Sequence, residues 1–299
     1  MGNHEIETLL DRSPPSQRKR YFYQLPYSTV HPDDLLNYVP EGTIVTSNMT
    51  RALDTLYNLS LNEVYGKNKF RSIDFSPYGR KSICNLISDP ALSEMVRDEL
   101  SKLQEYYISA FSSSAELGRW VEKRPITHQI DDLLFLHGGL DPGIFQVEGG
   151  ISSSEALSEL NDKFHKHSND KDLAAFMSTL DGKIVYSLLT HRGNHNDCSE
   201  VAYARKVLGI SKVIVGHTPD EKVRVNCDGR FLAIDGLLGR YIRTNGNQYC
   251  RGKSQETSSN GRFRCEEVSS ECGGQIVKLS KKKAGSKDDW KMDIIHMNN

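Results

Sequence analysis

Ser199-Glu200-Val201-Ala202-Tyr203-Ala204-Arg205-Lys206-Val207-Leu208-Gly209-Ile210-Ser211-Lys212-Val213-Ile214-Val215-Gly216-His217-Thr218-Pro219 decides the fold class of this chain. Ser199 to Leu208 reads as a helix that stops at Gly209, where a residue without a Cβ can take the left-handed conformation that ends helices. The apolar run Lys212 to Val215 reads as a short strand, Gly216 to Asp220 as a loop, and Arg230 to Ile234 as another strand. Upstream, Leu133-Leu134-Phe135-Leu136 is a second apolar run of strand length, and His137 follows it at once. Helices alternating with buried strands that emit polar residues at their ends give an α/β class.

Working outward, Leu92, Met95, Val96, Leu100, Leu103 and Tyr107 recur at helical spacing, which predicts a helix between Asp89 and Phe111 with Asp89 as N-cap and Pro90 at its first position. Ser152-x-x-Glu155 reads as a capping box that opens an amphipathic helix through Ala156, Leu157, Leu160 and Phe164. His165 and His167 close that helix two residues apart, so they do not face each other and read as a solvated face. Pro14-Pro15 and the basic run Arg18-Lys19-Arg20 mark a break after a short first helix. From Tyr249 to Gly274 the composition turns to Gly, Ser and Asn, a long loop, and Gln275 to Leu279 with Trp290 to Ile295 form a final hairpin on the sheet.

The composition is that of an ordinary globular chain: 299 residues with 37% hydrophobic content suffice for a real core. The 38 Lys+Arg against 39 Asp+Glu leave no charge excess that would point to nucleic acid or an anionic membrane. No apolar run is long enough to span a bilayer, and the N-terminus lacks signal-peptide zones. As written the chain reads as cytoplasmic; the compartment stays open, because any targeting segment would be expected upstream of Met1. The sequons Asn48-Met49-Thr50 and Asn58-Leu59-Ser60 are triplets common by chance. Six cysteines are few for a disulfide framework. Cys84, Cys198 and Cys227 are scattered. Cys250, Cys265 and Cys272 read as loop thiols ahead of a bridge with a spare or a three-ligand metal site, because no C-x-x-C pair is present.

Hydrolysis of a phosphate ester needs a metal-activated water, cations on the non-bridging oxygens and an acid for the leaving alkoxide. Gly2-Asn3-His4-Glu5 offers a carboxamide ligand in Asn3 and a proton donor in His4, with Glu5 as the orienting partner of His4 or simply the first helical residue. His137-Gly138-Gly139-Leu140 and Gly216-His217-Thr218-Pro219 each place an imidazole at a strand end, an N/O set suited to Zn, Mn or Fe. Any of these histidines alone is more often a core residue; the ordered triple is not.

The three segments in that order resemble the calcineurin-like metallophosphoesterase superfamily, closest to its phosphoprotein-phosphatase branch. Leu117-Gly118-Arg119-Trp120-Val121-Glu122-Lys123-Arg124-Pro125, running into Leu133 to Pro142, is similar to the Shewanella-like protein phosphatases of bacterial type. The match runs from residue 2 to about Tyr241. The resemblance implies a four-layer αββα sandwich and two divalent ions (Mn, Fe or Zn). It assigns Asn3, His137 and His217 to the second metal and His4 to the general acid. It places Arg192, in Arg192-Gly193, on the substrate phosphate after a short strand; the plain alternative is a surface arginine. The partner implied is a phosphorylated protein, with Ser/Thr or Tyr phosphatase activity by direct water attack. Hydrolysis of dinucleoside polyphosphates, or a non-catalytic phosphate- or protein-binding remnant, stands as the alternative.

The family's first two motifs, Gly-Asp-x-His and Gly-Asp-x-x-Asp-Arg, occur nowhere in the chain, and its one Asp-Arg pair, Asp11-Arg12, lacks the preceding Gly-Asp. We therefore expect a partial domain over 1–299 that lacks its first strands and its first-metal ligands, with an N-terminal part lying upstream. A largely helical or irregular insert is expected over 28–130, a Gly/Ser/Cys-containing loop over 249–274 and C-terminal strands over 275–299. Such a chain holds at most one weakly bound ion and is inactive alone.

Overall fold

The computed structural model describes residues 1–12, 35–53, 55, 93–168, 172–218, 223–235, 255–257, 263–265, 275–281 and 290–296. The first helix, α1 (Asn3–Asp11), buries Ile6, Leu9 and Leu10. Next come α2 (Glu94–Ala110) and α3 (Glu116–Glu122), preceded by a helical stretch over 47–53. α2 buries Val96, Leu100, Leu103 and Tyr107, the stripe its spacing predicted. It opens at Ser93 and not at Asp89: the Ser93 hydroxyl accepts the Val96 N–H, which satisfies one of the orphan donors of the first turn. Asp89 and Pro90 lie outside the described residues.

Five short strands then build the sheet. β1 (Thr127–Ile130) and β2 (Leu133–Leu136) form an antiparallel hairpin turning at Asp131, whose φ is 54°. The sheet thus starts inside the 28–130 segment. The helices α4 (Gly143–Gln146), α5 (Ser154–His167), α6 (Leu173–Phe176), α7 (Leu180–Thr190) and α8 (Cys198–Leu208) cross over to β3 (Lys212–Val215). α5 begins one residue later than its predicted box: Ser153 is the cap and accepts from Ala156 N, while Ser152 is exposed. With Ser153 as cap the third helical position is Ala156, so Glu155 is not the reciprocal partner of a capping box. α8 ends at Gly209 with φ 67°, as read. β4 (Arg224–Asn226) and β5 (Phe231–Ala233) complete the order β1-β2-β3-β5-β4, with β2, β3 and β5 parallel.

Period two along these strands splits the sheet into two buried faces. Leu134, Leu136, Val213, Val215, Phe231 and Ala233 join the helices in one core. Leu133, Ile214 and Leu232 point the other way and are covered by Val277, Leu279, Trp290 and Met292. Those four come from the last two strands, an antiparallel pair spanning Gln275–Lys281 and Trp290–His296, slightly longer than predicted. Trp290 Nε1 donates to Asp132 Oδ1 at 2.7 Å, tying the pair to the β1–β2 turn. The described residues thus show three layers: helices, mixed sheet, hairpin. Between them in sequence, β6 (Gln255–Thr257) and β7 (Phe263–Cys265) pair inside the segment expected to be loop. Three-residue strands are too short to show a period, so composition alone concealed them.

The scattered cysteines need a further correction. Cys198 and Cys227 form a disulfide, joining the start of α8 to the β4–β5 turn. No described helix is long and apolar enough to cross a membrane.

Candidate functional site

β2 and β3 run parallel with Leu136 beside Val215, so their carboxyl ends open at the same place. In α/β sheets that is where ligands bind, because polar residues leaving the strands there converge. Gly216 N donates to His137 O at 2.9 Å and locks the two exits together. His217 has φ 61°, and Thr218 N donates to Gly216 O at 2.7 Å across it. A three-residue turn with a positive φ at its centre is rare and strained, and here it aims the His217 ring back at His137.

His137 Nε2 lies 2.8 Å from Asn3 Oδ1 and 3.1 Å from His217 Nδ1, and the two imidazole centroids are 4.9 Å apart. Asn3 is the first residue of α1 and is 1% exposed. Gly2 makes room for this approach: a Cβ there would sit 2.9 Å from His137 Cε1 and Nδ1. Gly2, the N-cap of α1, also donates its N–H to Glu5 Oε2 at 2.8 Å, so Glu5 at the third helical position reaches back to hold the cap.

Burial pushes the His137 pKa down to about 4 and that of His217 to about 3. The charges of His4 and Arg192 push both in the same direction. At neutral pH both rings are therefore uncharged and keep lone pairs for a cation. Two neutral imidazole nitrogens and a carboxamide oxygen converge here, a donor set that could hold one divalent ion. The third donor is an amide: among the described residues no group of three or more His, Cys, Asp or Glu side chains is placed to hold a metal.

His4 and Arg192 stand exposed at the rim. Arg192 follows the helix α7 and not a short strand, and it heads a 3-10 turn over Gly193–His195. Asp11-Arg12 serves the core: Asp11 accepts from Tyr107 Oη at 3.3 Å, and the Arg12 guanidinium is 2.5 Å from Glu122.

No protein-family profile matches the chain, and no curated protein does. Three solved structures are similar, and two of them serve as examples. One is a cold-active protein tyrosine phosphatase, 17% identical with a TM-score of 0.39, the likeness covering 52% of this chain and 47% of that one. The other is the cold-active protein-tyrosine phosphatase of a psychrophile, Shewanella sp., 16% identical with a TM-score of 0.38, covering 52% and 48%. The chain spans about half the length of those structures. At that level of likeness the site itself must carry any functional reading.

Sequence reasoning missed a polar network beside the site. His191 Nε2 and Asn194 Nδ2 each lie 2.9 Å from Glu200 Oε2, and Asn194 also bonds the Leu140 main chain. It missed His195 as well, which is 9% exposed, packs edge-on against Phe231 and has its pKa pushed down to about 4 by burial and then by Arg224. The run Gly193-Asn194-His195-Asn196-Asp197 has no apolar period and no motif spacing, so it offered no signal.

Proposed function

We propose that the chain carries the second-metal half of a calcineurin-like phosphoesterase site, of the phosphoprotein-phosphatase branch. Its substrate class would be a phosphorylated protein, on Ser/Thr or Tyr. The observation that supports this most directly is the meeting of Asn3, His137 and His217 within 2.8 and 3.1 Å, in the order of the family's motifs. The fold that goes with this reading is the four-layer αββα sandwich, of which helices, sheet and hairpin would be three layers.

Asn3, His137 and His217 would hold one divalent ion, Mn, Fe or Zn. In the complete dinuclear site the bound metals supply an activated water for direct attack on phosphorus and neutralise the non-bridging oxygens. Arg192 would orient the phosphate, because a guanidinium fork can bind two of its oxygens at once. His4, exposed on the first turn of α1, would give the proton to the leaving alkoxide. Gly2 and the strained turn at His217 set the ring positions before any ligand arrives.

The chain has no Gly-Asp-x-His or Gly-Asp-x-x-Asp-Arg, the motifs that carry the family's first-metal ligands and bridging carboxylate. Three neutral ligands bind a dication weakly, which favours phosphate binding without turnover for this chain alone. Calorimetric titration with Mn²⁺ or Zn²⁺ is expected to show one weak ion per chain, lost in His137→Ala and in His217→Ala while the fold persists. Absence of any such binding overturns the site reading. With p-nitrophenyl phosphate and Mn²⁺ no turnover is expected; turnover that His137→Ala abolishes would show the chain to be sufficient.

A further inference from the structure

The loop from His191 to Asp197 carries Arg192, and the residues on either side of that arginine are fastened from inside the protein. Asn194 is 1% exposed and uses its whole carboxamide. Its Oδ1 accepts the Leu140 N–H at 2.6 Å, and its Nδ2 donates to Leu140 O at 3.1 Å and to Glu200 Oε2 at 2.9 Å. Only this orientation of the amide satisfies all three, since a turned amide would set oxygen against oxygen twice. Glu200 Oε2 also accepts from His191 Nε2 at 2.9 Å. One carboxylate on α8 therefore grips the residue before Arg192 and the second residue after it.

Leu140 closes the loop that begins at His137, so Asn194 joins the arginine's loop to the histidine's. Missing side chains allow the approach: a Cβ on Gly139 would lie 2.6 Å from Asn194 Oδ1, and one on Gly193 would lie 2.5 Å from Glu200 Oε2. On the far side Asn226 Nδ2 donates to His195 O at 3.0 Å. The Arg192 backbone is thus held to the His137 loop, to α8 and to β4, although its side chain is exposed.

We propose that Asn194 and Glu200 are positioning residues that fix the Arg192 backbone beside the His137 loop and so aim its guanidinium at a phosphate group bound at the His137–His217 pair. This rests on the phosphate-binding reading of Arg192 given above. Neither residue touches the ligand; each acts by narrowing the arc that a long, flexible side chain sweeps.

The test uses inorganic phosphate as the probe, titrated calorimetrically into the chain with Mn²⁺ present. Asn194→Ala is expected to weaken phosphate binding by about tenfold, the scale of one lost charge-assisted contact. Arg192→Ala weakens it at least as much, and the double variant is no weaker than Arg192→Ala alone. Mn²⁺ affinity measured without phosphate stays within about twofold of the unaltered chain, well inside the scatter of a single lost contact. Glu200→Gln, which keeps an accepting oxygen, retains more phosphate affinity than Glu200→Ala. Losses that multiply in the double variant overturn the clamp, because residues acting independently add in free energy. Should Asn194→Ala lack a cooperative thermal transition, the same cycle runs on Glu200→Ala, whose side chain is 20% exposed. An unaltered chain that binds no phosphate overturns the reading of Arg192 and the clamp together.

Discussion

His195 is a buried ring whose two nitrogens have no hydrogen-bond partner among the described residues. Burial first, then the charges of Arg224, Arg192 and His191, hold its pKa down to about 4. His137 and His217 are pushed down to about 4 and about 3 for the same leading reason. A histidine depressed in the folded state takes up its proton first in the unfolded chain. Near neutrality neither state holds that proton and no stability is lost. As pH falls below the ordinary histidine value of about 6.5 the unfolded chain binds protons the folded chain refuses, so stability declines until the folded pKa is reached. We expect the urea midpoint to fall steadily from about pH 6.5 to about pH 4. His195→Phe keeps a ring against Phe231 and removes one titrating group, so its decline should be shallower; equal slopes refute the assignment. At this scale the sequence was legible where a polar residue leaves a strand or starts a helix beside glycine, as with Asn3, His137 and His217. It was silent on Asn194 and Glu200, whose hydrogen-bond partners belong to other elements, and on His195, whose ring packs against Phe231 of β5.

Single elements show how far local patterns reach. The runs Leu133–Leu136 and Lys212–Val215 were read to the residue because their ends coincide with a switch from apolar to polar side chains. Helix starts were less exact: the caps fall at Ser93 and Ser153, where the expectation had Asp89 and Ser152. Neighbouring serines are equivalent on paper, and only the one whose hydroxyl meets an orphan N–H is the cap. Ser153→Ala should therefore cost about 1 kcal/mol in urea unfolding, while Ser152→Ala should stay within about 0.5 kcal/mol. The reverse order would restore the predicted box. The His165–His167 pair reads out much as expected, with His165 exposed, though His167 is half-buried and stacks on Phe176 at 5.3 Å.

Across the whole molecule, two apolar faces of one sheet demand two covers, and the C-terminal hairpin supplies the second. Leu232 is fully buried between β5's neighbours and that hairpin, so Leu232→Ala is expected to cost about 2–5 kcal/mol. The two-sided character was readable from strands apolar at nearly every position, but which segment covers which face depends on the chain returning across the 41 residues between Ala233 and Gln275, a gap that no local pattern spans. The Cys198–Cys227 bridge was hidden for the same reason, its cysteines standing 29 residues apart with an α/β unit between them. Closing a loop of that length stabilises by about 3–4 kcal/mol through the entropy of the unfolded chain. Unfolding monitored with and without a dithiol reductant should show that loss in the unaltered protein and none in Cys198→Ser. The bridge also changes what the protein becomes when it is cut. Trypsin severs the backbone after Arg192, Arg205, Arg224 and Arg230, yet peptides 193–205 and 225–230 leave the digest as one species, lighter than their sum by the hydrogens lost on oxidation. Cysteines that stand far apart in the chain thereby give it a covalent fingerprint, and a mass spectrum of the unreduced digest can read it without any knowledge of the fold.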